Sequence, residues 1–299
     1  MELRHLRYFK VAAEELNISR AAARLHIAQP PLSRQIKELE AELGVKLFER
    51  LPRGLALTTA GEAFEGYCTQ LLERLSFSIE ATQRLARKGK RRFGIGFVPS
   101  SFYGQLPTLV RRLRQIDALE IVLQEMTSVQ QVAALHSGQI DIGFGRIWLD
   151  GPGVRQEVLF EEPVLAALPA RHPLVGTRPS IERLAEEPLI VYPARPRPSY
   201  ADVVLGMFHQ RGLHIEVLQE TNELQTAIGL VACEMGITLV PRTVRRLVRE
   251  DVVYEGISTA GLSSPLIMCL RHDDKHDPVM TSVLEHVYAL IELRKRGKF

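Results

Sequence analysis

Residues 28 to 40 read AQPPLSRQIKELE, and the way this stretch folds decides what the first fifth of the chain can touch. Two adjacent prolines normally end a helix. In a first turn they are tolerated, because the missing N–H had no partner there and the fixed φ already suits the helix. Pro30 and Pro31 therefore begin a helix. Leu32, Ile36, Leu39 and Leu43 follow at steps of four, three and four and form its buried stripe. Gly44 is its natural stop. A helix of about 14 residues spans about 21 Å. Its outward face opens with Gln29, Ser33, Arg34 and Lys37 and meets no acid before Glu38. Glu38, Glu40 and Glu42 lie further along, where a helix leaving a polyanion tolerates them.

Upstream, Leu6, Phe9, Ala13 and Leu16 recur at steps of three and four and predict an amphipathic helix over residues 3–16. Asn17 and Ser19 offer N-cap side chains to a second helix, SRAAARLH, whose Ala21, Ala22 and Ala23 let another helix come close. A slim helix, the short turn IAQ and a third helix with a basic N-terminal face make a helix-turn-helix. The third helix would enter the major groove, which is wide enough for one. Gln29 can pair with base edges, Arg34 with guanine or phosphate, and Ser33 with either phosphate or base. Ser19, Arg20, Pro30, Pro31 and Lys37 complete the expected DNA-facing set. Downstream, LFERLPRGLALTT (47–59) brackets the Pro52-Arg53-Gly54 turn with apolar residues. It predicts a two-stranded wing with Arg50 and Arg53 near its tip, placed for phosphates or the minor groove. By composition alone the same polar residues would also suit a solvated helix face.

The charge distribution agrees with a polyanion at the front. Residues 1–92 hold 17 Lys or Arg and 11 Glu, a net +6, whereas the other 207 residues carry 21 basic and 24 acidic side chains, a net −3. With 299 residues the chain is long enough for two or three domains. Its 45% hydrophobic and 24% charged residues imply a soluble globular protein. No run of about 18 apolar residues exists to span a membrane. MELRHLRYFKVAAEEL carries charges throughout and lacks a signal peptide's apolar middle, which implies a cytoplasmic location. Cys68, Cys233 and Cys269 are odd in number and far apart, and read as reduced thiols.

After the wing, Thr59 to Glu62 (TAGE) reads as a capping box. The helix it opens is expected to run to about residue 88. Phe64, Cys68, Leu71, Leu75 and Leu85, with Ile79 nearby, fit a seven-residue repeat and predict a two-helix dimer seam. The alternative is a stripe packed on the chain's own core. Pairing would set two recognition helices at half-sites about 34 Å apart. ARKGKRRF (86–93) reads as a basic, solvated linker.

From Phe93 the pattern alternates strands and helices. FGIGFV, EIVLQEM and QIDIGFGR read as strands, with FYGQLPTLVRRLRQ and TSVQQVAALHSG as helices between them. A second set follows: LIVYP, SYADVVLGMFHQRG, HIEVLQE, ELQTAIGLVACEMG and ITLVP. Two such sets form a weak internal repeat. PLIMCLRH would return the chain to the first half, and a helix after Asp277 would close it. The expected fold class is therefore α/β: an N-terminal winged helix-turn-helix (1–58), a linker helix (59–90) and a two-lobed α/β domain (91–299). Lobe I would comprise 91–162 and 268–299, and lobe II 163–267. A small ligand in such a sandwich sits between the lobes, outside the carboxyl ends of the strands. Pro99, Ser100 and Ser101, Thr127 and Ser128, Arg146, Pro198, Ser199 and Tyr200, and Asn222 occupy those positions. Hydroxyls at helix N-termini suit an anion, and Arg146 adds charge, so a small carboxylate is the expected ligand. Arg195 and Arg197 would add more.

The first 62 residues closely resemble the winged helix-turn-helix of LysR-type transcriptional regulators. The resemblance rests on FKVAAEE, SRAAARLHIAQP, SRQIKELEAELG, LFER and TTAGE in that order. It implies an activator-type regulator of promoter DNA that acts as a homodimer, usually as a dimer of dimers, and works with RNA polymerase. It also implies an effector domain built like a periplasmic binding protein. PARPRPSYADVVLGMF and NELQTAIGLVA resemble the aromatic-catabolism subgroup, which senses cis,cis-muconate and related acids. Neither a metal nor a cofactor is expected. GIG (94–96) is too short for a dinucleotide loop, His272 and His276 lie in a polar turn without cysteines, and there is no G-x-S-x-G elbow or other catalytic constellation. The competing reading is a cytoplasmic small-molecule binding protein or enzyme carrying an accessory helix-turn-helix.

Overall fold

A computed structural model describes residues 1–51, 54–149, 151, 153–272, 274 and 277–296, with backbone alone at 77, 80, 81, 84, 85, 87 and 88. The chain divides into two compact units, Met1–Thr82 and Gln83–Phe299. Among the described residues no helix is long and apolar enough to cross a membrane.

The first unit opens with helices α1 (Leu3–Glu15), α2 (Ile18–Arg24) and α3 (Gln29–Leu43). Leu6, Phe9 and Ala13 are buried, but Leu16 leaves the predicted stripe. It terminates α1 in the left-handed region at φ 47°, and its carbonyl accepts the amide of Leu55 at 2.8 Å. Asn17, not Ser19, caps α2, accepting from the Arg20 amide at 3.1 Å. Ala21 and Ala22 are buried against α1 and α3. In α3 the prolines sit in the first turn, and Gly44 closes the helix at φ 70°. Leu32, Ile36 and Leu39 are buried, while Leu43 is half-buried.

Strands β1 (Phe48–Leu51) and β2 (Gly54–Leu57) pair antiparallel, with Leu51 opposite Gly54. What anchors this wing is Glu40, which sequence placed on the surface and the structure buries. Its carboxylate accepts from the amides of Leu47 (2.9 Å) and Phe48 (3.2 Å) and from Lys46 Nζ (2.8 Å). Burial alone would raise this carboxyl's pKa; the Lys46 ammonium and the two amides outweigh it and leave the pKa below the ordinary 4.5.

Helix α4 (Thr59–Lys88) follows. Its cap falls one residue earlier than TAGE implied: the Thr58 hydroxyl accepts from the Gly61 amide at 2.9 Å and donates to the Lys46 carbonyl at 2.7 Å. A Cβ on Gly61 would lie 2.1 Å from the Leu47 carbonyl oxygen, so only glycine lets α4 dock on the wing. The predicted seam divides. Cys68 is buried in the unit's own core, its thiol donating to the Leu6 carbonyl, and Phe64 packs on Phe9 at 5.0 Å. Burial pushes the Cys68 thiol up to about 11. Leu71 and Ile79 stay exposed, joined by Tyr67, which the seven-residue repeat omitted. The Leu85 side chain lies outside the described residues.

The second unit runs β3 (Arg91–Phe97), α5 (Pro99–Phe102), α6 (Leu106–Leu113), β4 (Leu119–Glu125), α7 (Ser128–Ser137) and β5 (Ile142–Gly145). Then come β6 (Val154–Pro169), α8 (Ile181–Leu184), β7 (Leu189–Val191), α9 (Tyr200–His209), β8 (Val217–Glu220) and α10 (Leu224–Ala232). Strand β9 (Thr238–Pro241), a 3-10 turn (Arg242–Arg246), β10 (Val252–Gly256), β11 (Ser263–Arg271) and α11 (Pro278–Lys295) complete it. β3 lies parallel between β4 and β5. β11 runs antiparallel between β5 and β6. The far half of β6 pairs with β9 and β10. Strand β6 therefore runs from one hydrophobic core into the other, while β11, whose residues 263–267 were expected in lobe II, pairs along its whole length with β5 and the first part of β6 in lobe I. One core is built around Phe93, Leu113, Met268 and Val283, the other around Leu168, Ile190, Phe208 and Val240. β7 pairs parallel with β8 in the second. These are the two lobes, each an α/β layer.

Glu40→Ala is expected to cost roughly 2–4 kcal/mol in chemical denaturation, because two buried amides lose their acceptor. The folded pKa is depressed, so Glu40 contributes stability above its unfolded value and loses it as pH falls through the folded one. The variant should therefore show a shallower stability loss below pH 4.5.

Candidate functional site

Two surfaces gather the residues that sequence singled out. On the first unit, a groove between α2, the start of α3 and the wing is lined by Ser19, Gln29, Ser33, Lys37 and Arg50. Lys46 and Asn17 line it too, although sequence reasoning gave them no DNA role. Pro30 and Pro31 are exposed on the first turn of α3. Arg34 is exposed on the same helix and makes only a loose pair with Glu38 at 3.7 Å. Arg20 is less free: its guanidinium donates to the Glu15 carbonyl at 2.5 Å and pairs with the Glu15 carboxylate at 3.4 Å. Arg53 lies outside the described residues.

The second surface is a cavity of about 170 Å³ between the lobes. Nine of the ten residues expected at strand ends line it: Pro99, Ser100, Thr127, Ser128, Arg146, Pro198, Ser199, Tyr200 and Asn222. Ser101 does not. Its hydroxyl donates to the Val98 carbonyl at 2.7 Å, and it borders a separate apolar cavity with Leu106, Phe144 and Ile291. The common cause of the convergence is topological, since β3, β4, β5 and β7 all deliver their carboxyl ends here.

Local hydrogen bonding sets each side chain. Thr127 caps α7, accepting from the Gln130 amide at 3.3 Å. Ser128 Oγ accepts from the Arg146 amide at 3.1 Å. Ser199 caps α9, accepting from the Ala201 amide at 3.2 Å and donating to the Pro193 carbonyl at 2.7 Å. Asn222 corrects its expected role. It does not cap α10, whose N-cap is Glu223; its side-chain oxygen accepts from the Arg195 amide at 3.1 Å instead.

Arg146 corrects a second expectation. It was read as a charge offered to a ligand, but Nη2 pairs with the buried Glu162 carboxylate at 2.7 Å. Nε donates to Ser100 Oγ at 3.2 Å and Nη1 to the Ser264 carbonyl at 3.3 Å. The other Glu162 oxygen accepts from the Thr243 amide at 2.7 Å. The guanidinium charge is thus matched on the spot. Arg197 is likewise paired, with Asp202 at 2.8 Å and Glu220 at 3.3 Å, and neither Arg195 nor Arg197 lines the cavity. An anion held here would meet hydroxyls and helix N-termini before any unmatched cation.

Sequence reasoning missed Tyr192, which lines the cavity beside Tyr200 with ring centroids 5.5 Å apart. Its signal was available: it stands one residue past the end of β7, as Val98 and Arg146 stand past β3 and β5. Burial holds both phenols well above the ordinary tyrosine range, so each keeps its proton at neutral pH.

Both parts of the chain are similar to known proteins. The bacterial regulatory helix-turn-helix protein family, lysR family, matches residues 3–62, and the LysR substrate binding domain matches residues 86–290. The HTH-type transcriptional regulator CatR of Pseudomonas putida is 52% identical over 276 residues, covering 92% of this chain and 94% of that protein. Full-length CbnR in complex with its target DNA has a TM-score of 0.69 at 30% identity, covering 97% of this chain and 99% of that one. The BenM effector binding domain with its effector benzoate has a TM-score of 0.63 at 29% identity, covering 69% of this chain and 93% of that one.

Breaking the buried pair by Glu162→Leu or Arg146→Met should each cost about 3–5 kcal/mol, because the remaining charge is left buried without its counterion. The double substitution should recover much of the loss. Urea denaturation of the three variants measures the coupling.

Proposed function

The chain belongs to the LysR family of bacterial transcriptional regulators, and from that premise we propose how its parts divide the work. Residues 1–58 bind double-stranded promoter DNA, with the N-terminal half of α3 in the major groove. Gln29, Ser33 and Arg34 read bases or hold phosphates, Ser19, Arg20, Pro30, Pro31 and Lys37 position the helix, and Arg50 and Arg53 contact backbone from the wing. Residues 59–90 pair two chains, and two such dimers form a tetramer. Residues 91–299 bind a small carboxylate effector.

The single observation that carries the sensing role is the cavity between the lobes. Strand ends from both lobes meet there, and hydroxyls at the starts of α7 and α9 face one space. The effector proposed is cis,cis-muconate or a related aromatic-derived acid. Two lines support it: the resemblance of residues 193–208 and 222–232 to the aromatic-catabolism subgroup, and the benzoate held by the similar BenM domain. The chain would then act in the cytoplasm as an activator of an aromatic-catabolic operon, in concert with RNA polymerase. Effector affinity must differ between two states of the regulator for binding to change promoter occupancy.

A thermal-shift screen of small aromatic and dicarboxylic acids should find a ligand that raises the unfolding midpoint by mass action. A promoter footprint should change when that ligand is added; identical footprints and affinities with and without it would remove the sensing role. Arg34→Ala should weaken specific binding by about 1–3 kcal/mol and relax preference at one base pair if it reads guanine. An even loss across sequences would assign it to phosphate.

The exposed Tyr67 and Leu71, about one helical turn apart, support pairing through α4. Leu71→Asp should shift the chain toward monomer in sedimentation velocity while leaving its circular dichroism unchanged.

A further inference from the structure

The groove of the first unit has cations on both of its walls. Along α3, Gln29, Ser33, Lys37 and Glu40 follow at steps of four, four and three, so they share one helix face, and all four line the groove. Across from them stands the root of the wing, where Lys46, Phe48 and Arg50 line the groove at every second position. The charged residues of the lining are Lys37, Lys46, Arg50 and one acid, Glu40. Glu40 is buried, and its charge is matched internally. Oε1 takes the amides of Leu47 and Phe48, and Oε2 takes Lys46 Nζ at 2.8 Å. Lys46 differs from its partner, because its side chain is 73% exposed while its ammonium is pinned. An ammonium carries three donors, and among the described residues Glu40 is the acceptor it meets. The fold has thus already fixed a long side chain whose ordering would otherwise weaken any contact it made.

We propose that Lys46 is a phosphate-binding residue of the DNA interface, held in place by Glu40. This rests on the DNA-binding reading given above and adds to it a contact from the root of the wing. A sugar-phosphate strand entering the groove beside the N-terminal half of α3 runs between Lys37 on the helix and Lys46 and Arg50 on the wing. Lys46 gives that strand a fixed positive charge and no base preference, so it sets register and affinity without setting sequence. It also covers Glu40, whose uncompensated charge would otherwise face the phosphates.

The test is the salt dependence of binding, read by fluorescence anisotropy of the full chain on a labelled mixed-sequence duplex between about 50 and 200 mM NaCl. The logarithm of affinity falls with the logarithm of salt by about 0.9 for each phosphate neutralised. Lys46→Gln should make that slope shallower by about 0.9 for each bound subunit, and Lys46→Arg should keep it, because a charge at that place is what releases the counterion. Lys46→Gln also lowers the overall charge and leaves a buried carboxylate without its cation. The Glu40→Gln/Lys46→Gln double variant does neither, since its net charge equals that of the unsubstituted chain, and it should show the same shallower slope. A purely structural role for Lys46 would lower affinity by one factor at every salt concentration and leave the slope unchanged. An unchanged slope in the double variant, or a Lys46→Arg slope as shallow as that of Lys46→Gln, overturns the assignment and leaves the DNA-binding reading standing. An unsubstituted chain that binds no duplex overturns both.

Discussion

The ion pair between Arg146 and Glu162 is the constraint around which the effector unit is arranged. A guanidinium 3% exposed and a carboxylate fully shielded from water would each be costly alone. Together with Ser100, the Ser264 carbonyl and the Thr243 amide they form a satisfied network. Its members come from five pieces of chain: the end of β5, strands β6 and β11, α5, and the 3-10 turn after β9. Of these, β6 carries the chain from one lobe into the other, and the 3-10 turn brings Thr243 of the second lobe against it. The network therefore fixes the place from which the lobes diverge, and the cavity opens beside it. With that charge matched, the cavity is lined by hydroxyls, helix ends and the Glu125 carboxylate.

The DNA-binding unit uses a buried carboxylate in the same way on a smaller scale. Glu40 sits on the hidden side of α3 and gathers the amides of Leu47 and Phe48 with the Lys46 ammonium. Those bonds tie the root of the wing to the helix that carries Gln29, Ser33 and Arg34. In both units a buried acid acts as a backbone clamp, and the residues proposed to meet a ligand stand on the elements it holds.

Much of this was legible from local pattern. Pro30 and Pro31 with Leu32, Ile36 and Leu39 contain their own helix, and strand ends identify cavity positions because parallel topology brings them together. The failures share one cause, dependence on distant partners. Glu40 lies between Glu38 and Glu42 and looks like another surface acid; only amides seven and eight residues away bury it. Strand β6 escaped notice because Glu157, Glu161, Glu162 and Pro163 break any alternation, and its sixteen residues are extended through pairing with β11, β9 and β10. Asn222 fits an N-cap by type, yet the Arg195 amide lies within its reach and claims it. A heptad names a stripe without naming what covers it, so Phe64 and Cys68 went to the chain's own core.

Helix α4 serves two masters along one cylinder. Its first turns complete the core that holds Phe9 through Phe64, Cys68 and Leu72, while Tyr67 and Leu71, interleaved with them, look outward. Each residue advances an α-helix by about 100°. The angle between the inward row and the outward row is therefore a property of residue count alone. One residue gained or lost after Leu71 would swing every later side chain of α4 about 100° around the axis relative to the Tyr67–Leu71 pair. Changes of seven would nearly restore the phase and lengthen the rod by about 10 Å. Length variation in this segment is thus quantised by the helical repeat, as meshed gears are by their teeth.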